Sequence, residues 1–379
     1  MNGDCFVTTS AVQLACDLIN IASVSQDDNE EVIAYCRQWA ERQGMEVESL
    51  TYTDARGVTK HNLVARAGPG SGGLAFLTHT DTVPGLQGWN PFAAAVQADR
   101  IVGRGSCDMK GPMAAAMAAA AEFGWTHLRK PLYLVFSADE EVGHHGAEHI
   151  AARSHLLRDG RPEFGIVTEP TLMEPVYAHK GGAFLAVSAR GQAAHSSTEK
   201  GDSATFRIAP FMAEMTALKR IFLHDPRFRN AEFDPPTNGF NMTVTDFDTA
   251  ANVTAAKARC VVSVRNMPES GFDAAMAYIE RRAAAHGLET VRTDIGYFYG
   301  EKDGALMQLL CRLSEIEKAV SVPYGTEASV YGSMMETAVW GPGDIAHAHT
   351  VGEHITLAQM ALGQRRYREL IQAICGSTA

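Results

Sequence analysis

A doubly wound α/β domain interrupted by an inserted α+β domain is the architecture that three observations predict. "GLAFLTH" (73–79) and "PLYLVFSA" (131–138) are nearly unbroken apolar runs, as strands buried on both faces of a parallel sheet are. Between them lies an alanine-rich segment after Gly111, of a composition among the best for helix, and strand, helix, strand in that order argues a parallel crossover. The texture then changes at residue 179 and changes back near 293. Residues 1–178 and 293–379 therefore form one domain and 179–292 an insertion.

The elements follow in order. Ser10 caps a helix beginning "AVQLACDLINIA", and Gly44 stops the acidic stretch that follows it. "HNLVARA" (61–67) and "EFGIVTEP" (163–170) read as further strands of the first sheet. In the insertion, "GAFLAVSARG" and "ARCVVSVRNM" read as strands, 203–223 and 271–286 as helices, and "FNMTVTDF" as a third strand. A helix near 303–318, the Gly-rich "YGSMMETAVWGPGD" and a final helix over 356–375 return the chain to the first domain.

With 379 residues and 46% of them apolar, the chain has material for two soluble domains. Its 44 acidic and 33 basic residues leave a formal charge of −11, and no Lys/Arg cluster is present to neutralise phosphates. Nucleic acid is excluded as a partner on that ground. The seven cysteines are odd in number, scattered and without a C-x-x-C pair, which reads as reduced thiols and argues against a Cys-ligated zinc. The first basic residue is Arg37, so the charged n-region of a secretory signal is missing. The apolar run "MAAAMAAAAEF" (113–123) is too short to span a bilayer. A cytoplasmic protein with no membrane partner is expected.

Chemistry is carried by residues at strand ends, where open α/β sheets bind ligands. "FLTHTDTVPG" (76–85) brings His79 and Asp81 out of a buried strand, two residues apart and so on one side. That spacing suits a metal-binding imidazole oriented by a carboxylate, and equally suits a turn. "GRGSCDMKG" (103–111) places Asp108 in a Gly-rich loop just before the alanine helix, "DEEVG" places Glu140 and Glu141 after "PLYLVFSA", and "TEPT" places Glu169 after "EFGIVT". Each alone is readable as a helix cap, a solvated loop or a surface acid. Together, acids emerging at one sheet edge repel unless cations neutralise them, and a metal cluster resolves the conflict. Histidine with carboxylates and no thiolate fits catalytic zinc, manganese or cobalt. "WGPGDIAHAHTVGEHI" (340–355) supplies a further histidine ligand, with spacing that does not choose between His347 and His349. His144, His145 and His149 trail from the double Glu into a helix and read as exposed or outer residues.

"HTDTVP", "GRGSCDMKG", "DEEVG", "TEPT", "AHKG", "GQAAHSS" and the "AH" before "GEH" occur in one order over nearly the full length. In this the chain resembles the M20 metallopeptidase family, specifically its acetylornithine deacetylase and succinyl-diaminopimelate desuccinylase group. The resemblance implies a zinc-peptidase-like catalytic domain with an inserted lid and dimerisation domain, and two Zn²⁺ with Co²⁺ or Mn²⁺ as substitutes. His79, Asp108 and Glu169 would hold one metal. Asp108, Glu141 and His349 would hold the other, with Asp108 bridging. Asp81 would orient His79, Glu140 would act as general base, and His195 would reach a partner subunit's site in a homodimer to hold the carbonyl oxygen. Asn252 and Arg265 would contact the substrate. "VGEH" departs from the family's usual sequence, which leaves Glu353 and His354 without an expected role. "TEPT", "HTDTVP" and "GTEASVYG" (325–332) are closest to the deacetylase branch. The expected reaction is removal of an N-acetyl group from an amino acid such as N-acetylornithine, within amino-acid metabolism and arginine biosynthesis. Desuccinylases, aminoacylases, dipeptidases and carboxypeptidases share the same frame.

Overall fold

The computed structural model describes residues 10–376, so Cys5 lies outside the described residues. The other six cysteines are free thiols. The chain forms two compact units, one of residues up to Ala178 with Tyr299–Val320 and the segment from Thr326 on, the other of His179–Phe298 with Ser321–Gly325.

The larger unit is built on a mixed sheet. Leu74–His79 is its centre, with Leu132–Ser137 on one side and Phe164–Val167 on the other, both parallel to it. Glu336–Val339 extends the parallel set beyond Phe164–Val167. Thr59–Ala67 pairs antiparallel with Leu132–Ser137, and Glu46–Thr53 pairs antiparallel with Thr59–Ala67 as the outer strand. Every residue of Leu74–His79 and of Leu132–Ser137 is buried, which is why both read as continuous apolar runs. Lys110–Phe123 is buried on all sides from Lys110 to Ala120 and packs between helices Ala11–Asn20 and Leu357–Cys375. Its alanines allow that close approach, and a helix apolar all round belongs in an interior. Lys110 enters the same interior and donates through Nζ to Leu18 O at 3.0 Å and Ile21 O at 2.7 Å, which satisfies the C-terminal carbonyls of helix Ala11–Asn20. Burial pushes its ammonium pKa down to about 7.

The smaller unit is an antiparallel sheet in the spatial order Phe240–Thr245, Lys257–Asn266, Gly181–Arg190, Glu289–Ile295. Ala183, Leu185, Val187 and Ala189 alternate inward on one strand, as Ala258, Cys260, Val262 and Val264 do on its neighbour. Helices Ala204–His224 and Phe272–Ala285 cover that face with Ile208, Phe211, Met215, Met276 and Ile279.

Two strands carry no pattern that foretells them. Glu46–Thr53 and Glu289–Ile295 are outer strands with few buried residues, and Val291 is 69% exposed, so no alternation marks them in the sequence. Because Glu289–Ile295 pairs with Gly181–Arg190, the chain returns to the larger unit after Phe298, not after 292 as the change of texture suggests. Glu336–Val339 falls within the stretch read as Gly-rich.

Candidate metal centre

Adjacent parallel strands end at one edge of the sheet, and four of them deliver polar groups there. His79 is the last residue of the central strand. Asp139–Glu141 follows Leu132–Ser137, Glu169 follows Phe164–Val167, and the loop carrying His349 follows Glu336–Val339. Asp108 arrives from outside this set, just before helix Lys110–Phe123, whose first residue is preceded by Met109 with no side-chain cap. Asp108 is thus not a cap.

Its two oxygens face two different imidazoles. Oδ1 lies 3.1 Å from His79 Nε2, and Oδ2 lies 3.2 Å from His349 Nε2. His79 Nε2 is also 3.5 Å from Glu169 Oε1, and His349 Nε2 is 3.0 Å from Glu141 Oε1. Donor atoms of His79, Glu140 and Glu169 lie within 4.8 Å of one another, as do those of Asp108, Glu141 and His349. Ligands at roughly 2.1 Å around a tetrahedral zinc stand roughly 3.4 Å apart, so these separations fit two adjacent metal ions.

The electrostatics point the same way. Burial, then the charge of Asp108, pushes Glu141 up to about 8 and holds Glu169 well above the usual carboxylate range. His79 is raised well above its ordinary value: burial opposes its charge, but contacts with Asp108, Asp81 and Glu169 outweigh that. Contacts with Asp108 and Glu141 raise His349 to about 10. A site that makes imidazoles hold protons and carboxylates retain them is short of positive charge, and divalent cations supply it.

The scaffold explains how so many acids are held. Asp81 accepts Ser25 Oγ at 2.7 Å and the backbone amides of Glu140 at 3.1 Å and Glu141 at 3.3 Å. His79 Nδ1 lies nearer the Asp81 backbone carbonyl, at 3.0 Å, than its carboxylate oxygen, at 3.4 Å. Asp81 therefore fixes the Glu140–Glu141 turn as much as the imidazole. Asp139 is anchored by Lys60 Nζ at 3.0 Å and the Tyr52 hydroxyl at 2.6 Å.

Glu353 is fully buried and does for Asp108 what Asp81 does for Glu140. Its Oε1 accepts the amides of Gly105 and Cys107, both at 3.0 Å, and of Asp108 at 3.1 Å, while Oε2 accepts from the buried Arg104 guanidinium. Glu353 of "VGEH" thus supplies the clamp on the Asp108 loop. Glu353→Ala strips three amides of their acceptor and leaves Arg104 buried without its carboxylate, a loss of about 3–5 kcal/mol. Chemical denaturation should show that drop, with a parallel loss of metal affinity.

The remaining histidines separate by environment. His144 is buried against Glu140, whereas His145 is exposed beside Glu148 and His149 packs its ring on Tyr52. His347 stacks on His354 with ring centroids 4.0 Å apart, and it is His349 that faces Asp108 and Glu141. His144, Glu353 and Ser25 contact Glu140, Asp108 and Asp81 in ways that motif spacing does not identify; for His144 the signal in the sequence is its place after the double Glu.

In the smaller unit, His195 is exposed, and its loop meets the Asn252 loop through Ser196 N to Asn252 O at 2.9 Å and a His195–Val253 bridge. Arg265 lies at the other end of strand Lys257–Asn266, opposite Gly182. A strand of that length separates Arg265 from the Asn252 end by roughly 25 Å. Arg265 lines a pocket of about 380 Å³ with Phe184, Gly239, Asn241 and Ser263, and burial lowers its guanidinium pKa. The structure pairs His195 with Asn252 and sets Arg265 apart from them.

Residues 75–373 match the model of peptidase family M20/M25/M40. The acetylornithine deacetylase of Proteus mirabilis (strain HI4320) is 30% identical over 382 residues, covering 96% of each chain. Human carnosine dipeptidase 1 superposes with a TM-score of 0.73 at 15% identity, over 95% of this chain and 96% of that one. The Bacillus subtilis YXEP protein, described as a dinuclear metal binding peptidase from the M20 family, superposes with a TM-score of 0.61 at 15% identity over 95% and 96%.

Proposed function

The chain belongs to peptidase family M20/M25/M40 and is a metal-dependent amidohydrolase, and we propose that its substrate is an N-acyl amino acid, with N-acetylornithine the first to test. One observation carries the metal assignment: Asp108 offers one oxygen toward His79 and the other toward His349. In this reading Asp108 would serve both of two zinc ions, replaceable by cobalt or manganese. His79 and Glu169 complete one set of ligands, and Glu141 and His349 the other. The chemistry supplied by metals held there would be a water with its pKa lowered toward about 7 and a polarised substrate carbonyl.

The chain's own groups do the rest. Glu140 accepts the proton of the attacking water and passes it to the leaving amine. Asp81 orients His79 and holds the Glu140 turn. His195 donates to the carbonyl oxygen as negative charge develops on it, reaching the site of a second copy in a homodimer. Asn252, beside His195, would contact the substrate from that same second copy and Arg265 from the chain's own smaller unit, and the pocket at Arg265 supports its carboxylate role. A cytoplasmic place in arginine biosynthesis agrees with this substrate. No helix among the described residues is long and apolar enough to cross a membrane.

A panel of N-acyl amino acids and dipeptides, assayed with added zinc or cobalt, tests the reading. Release of free ornithine from N-acetylornithine, abolished by EDTA and restored by metal, is expected. Hydrolysis of dipeptides alone overturns the deacetylase assignment.

A further inference from the structure

We propose that His144 is a positioning residue for Glu140, fixing one carboxylate oxygen so that the other exchanges the proton. This rests on Glu140 being the general base of the reaction proposed above. His144 Nε2 lies 3.2 Å from Glu140 Oε1 in a buried contact, with the His144 side chain only 5% exposed. A carboxylate only accepts, so Nε2 carries the proton of this bond. On the far side of the ring, Nδ1 lies 3.3 Å from Ser329 Oγ, whose single proton is shared between Nδ1 and Thr326 O, 3.1 Å away. Both ring nitrogens are therefore engaged, and the imidazole has one orientation.

The backbone is shaped to bring it there. His144 has a φ of 62°, in the left-handed region that residues other than glycine rarely adopt, and Asp139 at the start of the same turn has a φ of 60°. His144 N closes the turn onto Asp139 O at 2.9 Å. Such backbone is retained where neighbouring contacts overdetermine it, and the anchor of Asp139 on Lys60 and Tyr52 is one such contact. His144 also occupies the cap position of helix His145–Arg153 but makes no side-chain capping bond. Ser, Thr, Asp or Asn is the residue type that a capping role selects. The side chain spends its hydrogen bonds on Glu140 instead.

An unrestrained glutamate samples several rotamers, and holding it in one removes that cost from the reaction. Partners of this kind change activity by about 10- to 100-fold when removed. The test compares wild type, H144A and H144Q, because a glutamine amide can replace the Nε2–H donor. H144A is expected to lower kcat within that range, with KM and bound metal within about two-fold of wild type. H144Q should recover most of the loss. Crystal structures of the same three proteins give a readout free of activity: the Glu140 carboxylate should move or lose order in H144A and keep its place in H144Q. An unchanged kcat in H144A, an equal loss in both variants, or a Glu140 that stays in place in H144A overturns the proposal. If the wild type hydrolyses none of the panel, the functional reading fails, and the position of Glu140 in the three crystal structures still decides the role of His144.

Discussion

Glu140→Ala should lower kcat by about 10²- to 10⁴-fold, the range for loss of a positioned general base, with both metals still bound. Metal stoichiometry and turnover on the same preparation check it. The measurement also settles a choice the geometry poses. The Glu140 carboxylate lies within 4.8 Å of donor atoms of His79 and Glu169, close enough for a metal ligand. A ligand would take a metal with it when removed, whereas a base would leave the stoichiometry at two. Asp81 and His144 hold Glu140 from its backbone and its side chain respectively, so the residue is restrained without any metal. That favours the base.

Asp108→Ala should cost both metals and all measurable turnover. Its two oxygens face one histidine from each group of donors, so Asp108 is placed to serve both. His349→Ala, by contrast, should weaken one metal and leave the other, because His349 contacts Asp108 and Glu141 but belongs to one group only. Titration of each metal-free variant with zinc separates these outcomes. Retention of one metal by Asp108→Ala would show that the two groups do not share a ligand. The loss should exceed the about 100-fold typical of residues that only support a ligand, since two coordination spheres lose a member at once.

Much of this was legible in the chain itself. Buried parallel strands are apolar throughout, so "LAFLTH" and "LYLVFS" announced both the strands and the edge where they end. Polar ligands leaving such strands stand out because the strands before them are mostly apolar. The outer strands Glu46–Thr53 and Glu289–Ile295 were not legible, since a strand with one neighbour and little burial leaves no hydrophobic period to read. The change of texture at 293 therefore falls inside the strand Glu289–Ile295, within the compact unit that runs to Phe298. His347 and His349 share a side of any extended segment, and in space the contacts of His349 with Asp108 and Glu141 and the stack of His347 on His354 distinguish them.

What the sequence by itself determined is the set of chemical groups, the order of elements that carries them, and the family to which the motifs belong. Those are local properties, written in residue type and short spacing. The tertiary structure alone decided which groups restrain the others. Glu353 reaches the Asp108 loop across 245 positions of chain, Asp81 reaches the Glu140 amide across 59, and Ser25 reaches Asp81 across 56. Hydrogen bonds between residues so far apart exist only once the sheet has brought the loops to one edge, and no spacing rule contains them.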